Sequence, residues 1–217
     1  MPKLQRRKFI ERSPASSDGR VLRLTQEGRL HALGGRDPQQ LWARHWDQRW
    51  RLVIFDVPMG KDSARRKLRR YLRHRHFGYL QNSVWISPDP LVTERKVLAG
   101  AANDVETLVL MEAHPCGGES NAQIAAGVWD FKRINEQYSR YLEILRRRPT
   151  GALHGEPAAR SLQLWARNER DAWLAAIDFD PLLPQCLWPK GYLGRKAWDA
   201  RVEVLPWARQ QLTAFQS

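Results

Sequence analysis

Short apolar runs alternate with amphipathic stretches in an order that predicts a mixed α and β protein. The run WRLVIFDVP, over residues 50–58, is apolar, short and closed by Pro58, the signature of a buried strand rather than an amphipathic helix. From 61 to 76 the period changes, and Ala64, Leu68, Tyr71 and Leu72 fall on one face of a predicted helix. FGYLQ and SVWIS, on either side of Asn82, read as two short strands joined by a tight turn. A helix over 90–102 and the apolar strand VETLVLM over 105–111 follow. The order βαββαβ is that of a ferredoxin-like sandwich.

Beyond it, Pro115, Gly117 and Gly118 break the chain. Ile124, Val128, Phe131, Tyr138, Leu142 and Leu145 then recur at helical spacing, which predicts one long helix over 121–148. A connector over 147–157 leads to a second amphipathic helix marked by Leu162, Trp165, Ala166, Trp173 and Ile177. Trp165 and Trp173 share one face of it and are read as core. Residues 179–194 form a turn-rich linker, and 195–215 close the chain as a helix.

The start of the chain reads as a basic helix end over 4–12, a run of turn formers over 13–19, and a strand over 21–24. Thr25 is placed to cap a helix, with acidic Glu27 in its first turn. That order matches the latter half of a winged helix, although a plain surface hairpin has the same composition. The expected class is therefore α+β. It comprises a partial winged helix over 1–48, a ferredoxin-like central domain over 49–114 and a helical domain over 119–217.

Charge sharpens the picture. Residues 1–80 hold 20 basic and 7 acidic side chains, whereas 81–217 hold 16 of each. A neutral body with one basic end suits a polyanion held at that end, and nucleic acid is the commonest such partner; solubility alone is the alternative. The two cysteines, Cys116 and Cys186, have neither metal-like nor redox-like spacing, which points to a reducing cytoplasm. No apolar run approaches a membrane span, and the charged first residues resemble no targeting segment. The ten tryptophans, spread from Trp42 to Trp207, read as core and interface.

The conspicuous constellation is the polar face of the 61–76 helix, which carries Arg65, Arg66, Arg69, Arg70 and Arg73. Guanidinium forks grip phosphate, so these five are candidate contacts for DNA or for a phosphorylated ligand such as a CoA; a solvated face is the alternative. His74 with His76, and His114 with Cys116, lack further zinc ligands nearby. No nucleophile elbow, phosphate-cradling loop or dinucleotide fingerprint is present, so neither cofactor, metal nor enzymatic activity is expected.

WRLVIFDVP, RRKLRRYLRHRHFGYLQNSVWISP and DPLLPQCLWPKGYLGRKAW together resemble the PaaX family, repressors of phenylacetic acid degradation and related aromatic catabolism. The resemblance covers about residues 4–205. It implies a winged helix, a ferredoxin-like domain and a helical domain in a homodimer that binds palindromic double-stranded DNA and releases it on binding an aryl-CoA thioester. It also implies a wing over 13–24, with Arg6, Arg7 and Lys8 near the end of the DNA-facing helix and Arg20 and Arg23 in the wing. Two departures stand out. A complete winged helix places two or three helices before its wing, so either Met1 lies downstream of the true start or the family member is shortened. Tyr192 and Leu193 stand where the family shows Trp and Pro before Gly194. The central domain also resembles small CRISPR-associated nucleases that bind a divalent metal through an Asp at the end of the first strand, a position that Asp56 matches. A metal-dependent nuclease and a shortened sensor or dimerisation module without DNA binding are thus the alternatives to a repressor.

Overall fold

Strand β3 (Trp50–Asp56) is apolar from Leu52 to Phe55 because both of its faces are covered there. Val53 and Phe55 face one core, with Leu68, Leu72, Trp85 and Leu98. Trp50 and Leu52 face a second, built mainly from the C-terminal helices. The computed structural model describes residues 10–12, 22–92, 94–101, 106–150 and 155–214.

Around β3 the sheet is antiparallel, with β5 (Val84–Ser87) on one side, β6 (Thr107–Ala113) on the other, and β4 (Gly78–Gln81) at the edge beyond β5. Helix α3 (Asp62–His74) joins β3 to β4, and α4 (Glu94–Ala101) joins β5 to β6. This is the expected ferredoxin-like βαββαβ order. Asn82, at the β4–β5 turn, takes φ 45°, a left-handed conformation that Asn tolerates well. Helix α4 starts four residues later than expected, since Pro90 to Val92 make a turn closed by a bond from the Val92 N–H to the Pro90 carbonyl. Strand β6 runs two residues beyond the expected end because pairing with β3 continues to Ala113, opposite Trp50.

The other side of the sheet meets α5 (Asn121–Val128), α6 (Phe131–Arg146), α7 (Gly155–Phe179) and α8 (Gly194–Ala214). The single helix expected over 121–148 is two helices. Trp129 is extended, at φ −106° and ψ 139°, and the Asp130 carboxylate then caps α6 by accepting from the Arg133 N–H at 2.9 Å. Apolar spacing runs on through the break because Ala125, Phe131 and Ile134 all enter the same core. The stretch over 179–194 is likewise more than a linker: Asp180, Leu182, Leu183 and Leu187 are buried. Asp180 accepts from the Tyr138 hydroxyl at 2.5 Å, from the Tyr192 hydroxyl and from the Leu182 N–H. Trp165 and Trp173 are core, as expected. Among the described residues no helix is long and apolar enough to cross a membrane.

Strands β1 (Ile10–Arg12) and β2 (Leu22–Leu24) pair antiparallel, with Ile10 opposite Leu24. This corrects the helix end expected over 4–12: the backbone of Ile10–Arg12 pairs across a hairpin instead of along a helix, and residues 1–9 lie outside the described residues. Helix α1 (Gln26–Ala32) starts at Thr25, whose hydroxyl accepts from the Gly28 N–H at 3.0 Å as expected. It ends at Gly34, φ 78°, with N–H bonds from Gly34 to His31 and from Gly35 to Leu30 that take up its last carbonyls. Helix α2 (Pro38–Ala43) is capped by Asp37 and buries Trp42 in the C-terminal core. Between α1 and α2, Arg36 reaches the end of α7 and donates to the carbonyls of Ile177 at 2.8 Å, Asp180 at 2.5 Å and Pro181 at 3.0 Å. Those are acceptors a helix C-terminus leaves unpaired, and a cation suits that end of the helix dipole.

Candidate nucleic-acid interface

The hairpin and α1 carry Arg12, Arg23 and Arg29 against Glu11 and Glu27. Of the five residues expected to contact DNA, Arg6, Arg7, Lys8 and Arg20 lie outside the described residues. Arg23 occupies the middle of β2, opposite Glu11.

The five arginines of α3 lie on one helix, but their surroundings differ. Leu68 and Leu72 bury the inner face against the sheet, which fixes which side chains point outward. Arg65 is held by Asp62 at 3.1 Å and by the Val57 carbonyl at 2.7 Å. Arg69 leans toward the Asn82 carbonyl at 3.5 Å. The Arg73 guanidinium sits 5.9 Å from the centre of the Trp85 ring, within cation–π range. Arg66 and Arg70 are exposed and make no hydrogen bond or ion pair among the described residues. Lys67, beside them, shares that condition. Sequence reasoning passed over Lys67, although the helical period puts it next to Arg66 on the same outward arc.

Asp56 ends β3 and is exposed, with its carboxylate accepting from the Val57 N–H at 2.8 Å and its carbonyl from the Glu106 N–H at 2.9 Å. That is the arrangement of a strand end turning toward the next helix. Among the described residues no three His, Cys, Asp or Glu side chains come together in a way that could hold a metal ion.

Two clefts open near the far end of α3. One, of about 670 Å³, lies between the α1–α2 connection, the end of α3 and the end of α7, and includes Arg36, Arg44, His74, Arg75 and Asp178 in its wall. The other, of about 370 Å³, has aromatic walls from Tyr79, Trp85, Trp129 and Phe179, with Arg73 and Arg133 at its sides. His76 and Asp178 line both. Both volumes fall in the range of small-molecule sites. The larger cleft is close to charge balance, since Arg44 is paired with Asp89 at 2.6 Å and Arg75 with Glu94 at 2.6 Å. Burial, with Arg36, His74 and Arg75 nearby, pushes the His76 imidazole down to about 3.

Residues 43–125 match the family described as the PaaX protein central Cas2-like domain. Over that stretch the chain is similar to the PaaX family. The matched stretch contains the whole sheet, α3 and the start of α5, so the arginine face lies within the shared PaaX domain. In fold, the chain is similar over its whole length to an uncharacterized protein, Rv0674, of Mycobacterium tuberculosis, with a TM-score of 0.57, 20% identity and 82% of that chain covered. Among curated proteins none matches this chain.

Sequence reasoning placed the PaaX-domain arginines on one face but missed what shapes the clefts. Arg36, Trp129 and Arg133 enter them from segments far apart in the chain, and no local pattern marks them.

Proposed function

We propose that this protein is a transcriptional repressor of an aromatic-acid catabolic pathway, binding double-stranded operator DNA as a homodimer and released by an aryl-CoA thioester. The match of residues 43–125 to the PaaX central domain carries the reading. The excess of basic residues in the first 80 supports it, as does the hairpin that precedes α1 in the place expected of a wing. In this reading Arg6, Arg7, Lys8, Arg20 and Arg23 contact DNA. Residues 1–48 form the reading segment, 49–114 the central domain, and 119–217 the part that senses and dimerises. The protein acts in the cytoplasm without a cofactor. Clefts large enough for part of a CoA thioester, between the sheet and the C-terminal helices, support an effector acting on the body of the molecule.

The test is selection by the whole chain from a pool of randomised duplexes, followed by titration of the winners. A two-fold symmetric sequence should be enriched, its affinity should fall steeply as salt rises, and phenylacetyl-CoA should release it where free CoA does not. Binding without sequence preference would overturn the repressor reading.

A further inference from the structure

We propose that the outer face of α3 is a second nucleic-acid contact, a sequence-independent phosphate track within the central domain and separate from the hairpin. Three of its five arginines are engaged with the protein itself. Arg65 is tied to Asp62 and to the Val57 carbonyl, Arg69 leans on Asn82, and Arg73 lies against Trp85. The remaining cations, Arg66, Lys67 and Arg70, project outward and are unpaired among the described residues. Arg66 and Arg70 stand one turn apart, about 6 Å along the axis, and Arg73 continues the row about 4.5 Å further on.

Three arginines on α7 and α8 show what a charge-balanced pair looks like. On α7, Arg160 pairs with Glu156 at 2.5 Å and Arg167 approaches Asp171 at 4.0 Å; on α8, Arg195 pairs with Asp199 at 3.0 Å. In each case an acid stands one turn from the arginine. On α3 the sole acid is Asp62, already bonded to Arg65, so Arg66 and Arg70 face each other at a spacing where like charges repel. That repulsion is relieved when an anion lies across both.

The chemistry of the face selects the kind of anion. No large apolar side chain is exposed anywhere on α3, so there is nothing to insert into a membrane or to seat a protein partner. A row of exposed guanidiniums and one ammonium fits the repeating charge of a sugar-phosphate backbone.

The experiment compares the whole chain with Arg66→Gln/Arg70→Gln and, as a control for charge alone, with Arg160→Gln/Arg167→Gln on α7. Binding to a random-sequence duplex is measured over a series of salt concentrations. All four positions are on the surface, so both variants should keep the parent's circular dichroism and unfolding midpoint. The α3 variant should show a log–log salt dependence shallower by about 1.8, near 0.9 for each phosphate no longer neutralised, and the α7 variant should keep the parent's slope. Affinity should fall by the same factor on every duplex, leaving any ratio of specific to random binding unchanged. An unchanged slope in the α3 variant, an equal change in both variants, or a parent that binds no duplex overturns the track. Absence of sequence preference in the parent, with the slope change present, overturns the repressor reading and supports this one.

Discussion

The indole Nε1 of Trp129 donates to the backbone carbonyl of His76 at 3.1 Å, and this bond ties the end of α3 to the break between α5 and α6. It joins the central sheet domain to the C-terminal helices at the point where the two clefts meet. Trp129→Phe keeps a ring but removes the donor, leaving a partly buried carbonyl without its partner. The expected cost is about 1–3 kcal/mol, read as a lower urea midpoint at unchanged denaturant slope.

Much of the architecture is legible in the sequence. The run over 50–58 announces a strand buried on both faces, and the period of Ala64, Leu68, Tyr71 and Leu72 turns Arg66, Arg70 and Arg73 outward, while Arg65 and Arg69 are half-buried and bonded back to the protein. The break at Trp129 is not legible, because Asp130 falls where an uninterrupted amphipathic helix also tolerates a polar residue. Only its carboxylate on the Arg133 N–H, and the indole reaching back to His76, show that the backbone must stop there. Arg36 is invisible for a different reason. Its acceptors lie 141 to 145 residues away, and local periodicity carries no information about a helix end that distant.

Gly78 has no room for a side chain. A Cβ there would stand 1.9 Å from Val128 Cγ1 and 2.9 Å from the Trp129 ring, so β4 and α5 can meet this closely only at glycine. Gly78→Ala should destabilise by at least about 1–3 kcal/mol. Gly127, in α5 with open space around its Cβ position, is the control: Gly127→Ala should stabilise by about 0.5–1 kcal/mol. Thermal unfolding should move the two variants in opposite directions, and a shared direction would contradict this packing of β4 on α5.

Glu169 and Arg201 form a buried ion pair at 2.8 Å, with the Tyr141 hydroxyl donating to the same carboxylate oxygen at 2.7 Å. The Arg201 guanidinium also lies 4.8 Å from the centre of the Trp173 ring. Glu169→Gln strips the cation of its counter-charge inside the core and should cost roughly 3–5 kcal/mol. Glu169→Leu combined with Arg201→Met removes both charges and should cost less than the single change. Chemical unfolding of the three proteins gives the order directly. A double variant less stable than Glu169→Gln would mean that the pair itself, and not the avoidance of a lone buried charge, stabilises the helices.

His76 sets an acid dependence whose sign follows from its environment. Burial, with Arg36, His74 and Arg75 adding to it, holds the folded imidazole near 3, whereas in the unfolded chain it titrates near 6.5. Between those values the unfolded state binds a proton that the folded state refuses. The stability from keeping His76 neutral is therefore fully present above about pH 6.5 and is lost as pH falls toward 3, by at most about 1.4 kcal/mol per pH unit. His76 adopts φ 58°, so Asn, which tolerates that conformation, is the fitting replacement. Urea unfolding of the parent and His76→Asn at about pH 7 and about pH 5, above most carboxylate titration, isolates the effect. The parent should lose ground to the variant across that interval, and parallel stabilities would show that His76 takes up its proton equally well in the folded protein.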